Sequence, residues 1–136
     1  MKVYVDSSVL LRVVLGERRA LRAWPRITRP ISSELIRIEC LRTIDRARIR
    51  FRLTADEVAR RRSDVLRRIE AFALVRIDDT VKERAAEPFP TLVGTLDALH
   101  LASALLARAQ VPDLRFATHD DELAAAARSE GFDLLE

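Results

Sequence analysis

Four acidic residues in this chain have types and positions that could support metal chemistry. Two of them end predicted β-strands, one begins a predicted helix, and one interrupts the apolar face of another predicted helix. They are Asp6, Glu39, Asp97 and Asp120. Strand ends and helix starts converge at one edge of a parallel sheet, where four carboxylates would repel one another strongly unless they bound a cation. Oxygen ligands without cysteine or paired histidine favour Mg²⁺ or Mn²⁺, and such ions serve phosphate chemistry.

Each of these carboxylates also has a purely structural interpretation. Asp97 could cap its helix, where the dipole favours an anion, or pair with an arginine. Asp6 could cap the helix that follows its strand, although Ser7 or Ser8 is an equally good cap. Glu39 lies within the core-facing stripe of its helix and could form a salt bridge with one of the many arginines.

The histidines and the cysteine have simpler interpretations. His100 lies one turn after Asp97 on an apolar helix, where a packed histidine is expected more often than a ligand. His119 is expected to pack in a loop rather than to act in catalysis. Cys40 is the only cysteine, which excludes an internal disulfide and a cysteine-built zinc site, and we expect it to pack in the core.

The identity of the basic residues is more informative than the net charge. The formal net charge is only +3, yet 22 of the 24 basic residues are arginine. Arginine binds phosphate in a bidentate fork and stacks on bases, although a GC-rich coding sequence would also favour it. The arginines at 60–62 and 67–68 could form a phosphate-binding surface or a solvated helix face. No apolar run could span a membrane and no signal-peptide core is present, so we expect a cytoplasmic protein.

The remaining sequence supplies the elements that must position these side chains. Predicted strands lie at 3–5, 30–32, 74–77, 114–117 and 132–135. Predicted helices lie at 9–15, from 34 to about 48, after Thr54 with an apolar face from Val58 to Phe72, around Val81, at 95–109 and at 122–128, with a further helix and turn within 17–29. Because strands alternate with helices, we expect one α/β domain over residues 1–136 with a mainly parallel sheet.

The helix ends carry recognisable signals. Thr54 and Glu57 match a capping box, and Ser33 is expected to cap the helix that begins at residue 34. Asp78 and Asp79 are expected to cap the short helix that follows them rather than to join the acidic site. Gly16 and Gly131 are expected to end the first and last helices, and a proline-rich loop at 87–90 precedes the Asp97 helix.

Taken in order, these segments resemble the PIN-domain ribonucleases of the VapC toxin type. Residues 3–8 (Val-Tyr-Val-Asp-Ser-Ser) match the family's opening strand, and residues 32–42 resemble its second motif, whose acid falls on Glu39. Residues 95–102 (Thr-Leu-Asp-Ala-Leu-His-Leu-Ala) resemble the third motif. Thr118, Asp120 and Leu123 resemble the Thr-x-Asp-x-x-Leu pattern at the end of the family's sequences. This match places the fourth acid on Asp120, although Asp121 is adjacent. Each motif is weak alone, but the ordered set covers the full chain.

The resemblance implies a three-layer α/β/α fold and a Mg²⁺-dependent endoribonuclease, with Mn²⁺ as a substitute metal. It implies that all four acids hold metal, that Ser8 contacts the first acid or a metal-bound water, and that Thr118 orients Asp120. It also implies a homodimer that acts on RNA and pairs with a small antitoxin protein covering the acidic site.

Two other classes of protein agree less well with these residues. A non-catalytic PIN-like module that only binds RNA or protein would be expected to lack one or more of the acids, and all four are present. A receiver-like phospho-acceptor domain would need a lysine at the end of a late strand. The segment before Asp120 has none, and Lys82 lies in the helix after the third strand.

Overall fold

A computed structural model describes all residues 1–136 and contains one four-stranded parallel sheet. The strands are β1 (Lys2–Val5), β2 (Arg29–Ser33), β3 (Ala73–Val75) and β4 (Arg115–Ala117), in the order β3-β2-β1-β4. All neighbouring pairs are parallel, so the carboxyl ends of the four strands lie at one edge. The strand predicted at 132–135 is wrong, because only a single bridge between Phe116 and Leu134 forms there.

Six helices connect and cover these strands. They are α1 (Ser7–Val14), α2 (Leu35–Arg50), α3 (Ala55–Ile69), α4 (Asp79–Ala86), α5 (Thr95–Gln110) and α6 (Asp121–Ser129). The helix predicted within 17–29 is reduced to one 3₁₀ turn at Trp24–Arg26. The other predicted helices are present, and the boundaries differ by a few residues.

The central strand β1 shows how the layers pack. Successive side chains of a strand point to opposite faces, and β1 is buried on both. Tyr4 packs on one face with Phe116 of β4 and Leu101 of α5, whereas Val3 and Val5 pack on the other face in a separate cluster. A third cluster joins α1 to the α2–α3 hairpin. The sheet thus has helices on both faces, which confirms the three-layer α/β/α prediction.

The helix ends follow the predicted signals in most places. The Thr54–Glu57 capping box is formed in both directions, and the Asp78 carboxylate accepts the N–H of Val81 at the start of α4. Of the two alternatives for the start of α1, the Asp6 cap is formed and the Ser7 or Ser8 cap is not, because Asp6 occupies the N-cap position and accepts the N–H of Ser8.

A serine lies at the start of α2, and glycines follow the ends of α1 and α6. Glu34 occupies the N-cap position of α2, yet the Ser33 hydroxyl still accepts the N–H of Leu35 at 3.2 Å. Gly16 and Gly131 follow α1 and α6 with φ of 65° and 82°, a left-handed conformation that glycine adopts without strain.

Candidate active site

Asp6 is held firmly through one of its two carboxylate oxygens. It follows β1 and is 5% exposed. Oδ2 accepts hydrogen bonds from the Ser8 hydroxyl at 2.7 Å, the Thr118 hydroxyl at 3.0 Å and the Ser8 N–H at 3.3 Å. Oδ1 has only a long hydrogen bond from Ser7 at 3.4 Å. The carboxylate is therefore fixed by Oδ2, and Oδ1 retains the capacity to bind a further group.

The two hydroxyls that hold Asp6 also connect two loops of the sheet edge. The Ser8 hydroxyl accepts the N–H of His119 at 2.9 Å, and the Thr118 hydroxyl accepts the N–H of Asp120 at 3.0 Å. These contacts fix the turn between β1 and α1 against the turn between β4 and α6. Ser8 thus contacts the first acid, whereas Thr118 donates to Asp6 and contacts Asp120 only through its backbone N–H.

Glu39 reaches the same edge from α2 and meets a histidine. Its Oε1 lies 2.6 Å from Nε2 of His100 on α5, and the same Nε2 lies 3.7 Å from Oδ1 of Asp6. Single ligand atoms of these three residues all fall within 4.8 Å of one another. The expectation that Glu39 pairs with an arginine is wrong, because the half-buried carboxylate has a buried imidazole as its partner.

His100 is both packed and part of the site. The side chain is 1% exposed, in agreement with a core position, but it contacts carboxylates rather than only apolar groups. Burial by itself lowers the pKa of His100, whereas the hydrogen bond to Glu39 and the negative charges of Glu39, Asp6 and Asp97 raise it. The net result is a raised pKa. The interpretation of His100 as only a packed residue is therefore too narrow.

Asp97 lies near Asp6, Glu39 and His100 but is not a member of that cluster of three. It is half-buried in the first turn of α5, and the capping interpretation is wrong because Gly94 occupies the N-cap position. Burial raises the pKa of Asp97, and the negative charges of Asp120, Asp6 and Glu39 raise it further. The direction of this shift agrees with a position of Asp97 near the other three predicted acids.

Asp120 has a structural role that the other acids lack. It is exposed, and its Oδ1 accepts the N–H of Leu123 as the N-cap of α6. Asp121 is exposed in the first turn of the same helix. The structure thus brings Asp6 and Glu39 into direct proximity, places Asp97 close to them, and leaves Asp120 at the rim with one oxygen already engaged.

Tyr4 is the residue of this region that sequence reasoning missed. Its side chain is fully buried, and its hydroxyl lies 2.8 Å from Nδ1 of His100 and accepts the N–H of Ser33 at 3.1 Å. A single polar aromatic residue among valines in β1 was the available signal. A buried histidine needs a partner for each ring nitrogen, which makes such a neighbour informative.

Several of the arginines on α3 are engaged within the protein. Arg67 and Arg68 both pair with Asp64, and Arg61 donates to the carbonyl of Val14 at 2.6 Å. These contacts support the interpretation of this face as a structural, partly solvated surface for those residues.

The model of the PIN domain family matches residues 3–129. This chain belongs to the PIN-domain family. The match spans all four acids and all the helices and strands described above except the first residue of β1, so the family resemblance and the predicted fold are confirmed.

This PIN domain is also similar to a named ribonuclease over nearly its whole length. It is 32% identical to Ribonuclease VapC46 of Mycobacterium tuberculosis over 136 residues, which covers 98% of this chain and 95% of the relative. The PIN domain is therefore a VapC homologue. None of its helices has the combination of length and apolar character needed to cross a bilayer.

The donor set of this PIN domain fits a hard divalent cation. Asp6 Oδ1 and the second carboxylate oxygen of Glu39 are oxygen donors at one edge of the sheet, and Asp97 adds a third carboxylate beside them. The one cysteine, Cys40, is buried, and burial raises its thiol pKa, so a soft thiolate site is not formed. This chemistry suits Mg²⁺ or Mn²⁺.

Proposed function

We propose that residues 1–136 form one PIN domain that hydrolyses phosphodiester bonds in RNA as a metal-dependent endoribonuclease. We further propose that it is the toxin of a VapBC-type toxin–antitoxin pair in the cytoplasm. One observation carries the proposal: Glu39 and Asp6 lie close enough together to bind one ion, in a chain similar to a ribonuclease over nearly its full length.

The proposed cofactor is Mg²⁺, with Mn²⁺ as a substitute, held by Asp6, Glu39, Asp97 and Asp120. When bound, such an ion lowers the pKa of a coordinated water and neutralises charge on the leaving oxygen. The raised pKa of Asp97 supports this assignment, because carboxylates that repel one another in the metal-free protein gain a shared counter-charge.

The protein's own residues have distinct parts in this proposal. Ser8 and Thr118 hold Oδ2 of Asp6, so that Oδ1 keeps a fixed direction toward the ion. Exposed arginines lie near the same edge, Arg37 in the first turn of α2 and Arg76 after β3. Their guanidinium groups are suited to the phosphates that flank the scissile bond.

The proposed partners follow from the same site. An antitoxin that covers the acidic edge would exclude RNA from the carboxylates. A homodimer is proposed from the family resemblance stated above.

The decisive experiment is cleavage of a mixed cellular RNA pool by metal-stripped protein. We would titrate Mg²⁺ and Mn²⁺ with wild type, with Asp97→Asn, and with Asp56→Asn as a matched control. Asp56 is exposed in the first turn of α3, so this substitution repeats the chemical change in the first turn of another helix. We expect metal-dependent cleavage by wild type and by Asp56→Asn, and none by Asp97→Asn.

Two results would count against the proposal. Cleavage by Asp97→Asn at the wild-type rate would contradict the site assignment. Absence of cleavage with every metal, together with no heat of Mg²⁺ or Mn²⁺ binding in calorimetry, would favour a domain that only binds RNA or protein.

A further inference from the structure

A chain of hydrogen bonds crosses the interior of the protein and ends at Glu39. It begins at the N–H of Ser33, which donates to the Tyr4 hydroxyl oxygen at 3.1 Å. That hydroxyl lies 2.8 Å from Nδ1 of His100, and Nε2 of His100 lies 2.6 Å from Oε1 of Glu39. Ser33 and Tyr4 are fully buried and His100 is 1% exposed, so water cannot replace these contacts. The chain links β2, β1, α5 and α2.

The contact between His100 and Glu39 determines where one proton lies. A carboxylate oxygen is only an acceptor, so an unprotonated Nε2 at 2.6 Å would place two lone pairs against each other. Imidazole is more basic than a carboxylate, so the hydrogen shared at this contact lies on Nε2, which donates it to Glu39. This holds for the neutral ring with the proton on Nε2 and equally for the doubly protonated ring.

The other end of the imidazole supports the same assignment. The Tyr4 oxygen already accepts the N–H of Ser33, so its own hydrogen is available for donation to Nδ1 of a neutral His100. The hydrogen bond at one ring nitrogen sets which nitrogen is protonated, and here Tyr4 favours the proton on Nε2. While Nε2 carries this proton, the same nitrogen cannot bind a metal ion.

We propose that His100 is a positioning residue that orients Glu39 through its Nε2–H, and that Tyr4 fixes the ring for this role. The proposal rests on the proposed function in that Glu39 is one of the metal-binding acids. The carboxylates of Asp6 and Glu39 are then bound in the same way, because each has one oxygen held by the protein. Oδ2 of Asp6 is held by Ser8 and Thr118, and Oε1 of Glu39 is held by His100. Oδ1 of Asp6 and Oε2 of Glu39 are then left for the ion.

The first test measures Mg²⁺ affinity by calorimetry without RNA. His100→Leu removes the donor and fills the space, whereas His100→Gln retains an amide N–H₂ that can donate to Glu39. We expect His100→Leu to weaken Mg²⁺ binding about tenfold or more, as loss of a partner of a metal ligand commonly does, and His100→Gln to recover most of the affinity. Tyr4→Phe should weaken binding less than His100→Leu, since the ring loses its orientation but keeps its proton on Nε2.

A matched control separates positioning from general stability. Val65→Ala removes buried volume between α3 and its neighbours but none of the hydrogen bonds of the site, and it should lower the melting temperature without changing Mg²⁺ affinity. Each variant would be measured below its own melting temperature, after circular dichroism has confirmed that it is folded. Wild-type affinity in folded His100→Leu would overturn the proposal.

The second test observes the proton directly. A long-range ¹H–¹⁵N spectrum of the metal-free wild type should show a protonated Nε2 at all pH values where the protein is folded, and an unprotonated Nδ1 once the ring is neutral. A neutral ring with the proton on Nδ1 would overturn the proposal. This spectrum needs neither metal nor RNA, so a protein that binds no Mg²⁺ would contradict the proposed function while the position of the proton would still be decided.

Discussion

Replacing Thr118 by valine removes one hydroxyl and keeps the shape of the side chain, so it isolates the anchoring of Asp6. The hydroxyl donates to Oδ2 of Asp6 at 3.0 Å and accepts the N–H of Asp120 at 3.0 Å. A hydrogen bond to a charged group contributes roughly 1.5–3 kcal/mol. Thr118 is half-buried, Ser8 still holds Asp6, and water can reach Asp120, so the lower part of that range applies. We therefore expect Thr118→Val to lower the free energy of unfolding by about 1.5–2 kcal/mol.

Thermal unfolding in EDTA measures this loss. A chain of this length loses about 4 °C in melting temperature for each kcal/mol, so the expected decrease is about 6–8 °C. Thr28→Val is the matched control, because the Thr28 hydroxyl also has a charged hydrogen-bond partner but is exposed: it accepts from the N-terminal ammonium at 2.9 Å. We expect that control to change the free energy of unfolding by less than about 0.5 kcal/mol.

The same variant tests the link between anchoring and metal binding. If Oδ2 must be held for Oδ1 to keep its direction, Thr118→Val should weaken Mg²⁺ binding about tenfold in calorimetry. A decrease in melting temperature no larger than that of Thr28→Val would refute the proposed energetic role of this hydroxyl. A large decrease with unchanged Mg²⁺ affinity would refute the link to the metal.

Three further predictions follow from the shifted pKa values. In EDTA at pH 7, Asp97→Asn should melt at a higher temperature than wild type, because a carboxyl with a raised pKa destabilises the folded protein once it ionises. In thermal unfolding scans, this difference in melting temperature should vanish below about pH 3.8, and in Mg²⁺ its sign should reverse. Metal-free wild type should lose stability as pH rises from 6.5 through the raised pKa of His100, since protonated His100 stabilises the fold only below that value, and His100→Gln should lack this loss; an unchanged pH profile would contradict the assignment. Cys40 should react with iodoacetamide at least about tenfold more slowly in the folded protein than in urea, because burial raises its pKa and blocks access, and equal rates measured by mass spectrometry would count against its burial.

The acidic residues were found from the sequence because their positions depend on topology. Alternation of strands and helices predicts a parallel sheet, and a parallel sheet brings strand ends such as Asp6 to the edge where the start of α5 carries Asp97. The role of His100 could not be obtained in this way. Helical periodicity shows that His100 faces the same side as Asp97, but it does not show that Glu39, on another helix, lies within 2.6 Å.

The two errors in the predicted secondary structure have a similar physical origin. Residues 132–135 have the composition of a strand, and Leu135 and Phe132 are buried, yet the segment forms only one bridge with β4. Local composition reports burial, whereas pairing depends on where the preceding turn directs the chain. The same applies at 17–29, where Leu21 and Ala23 are buried without a regular helix.

The central position of β1 has a consequence for biosynthesis. Asp6 is translated about 110 residues before its partners, because its N–H donates to the carbonyl of Ala117 and its carboxylate is held by Thr118. Contacts of such long sequence separation form late, because the intervening chain must first be present and brought together. A nascent or prematurely released polypeptide that lacks β4 has Asp6 without this anchor and β1 without one of its two neighbours. The acidic centre can therefore assemble only after β4 has been synthesised, long after Asp6 itself.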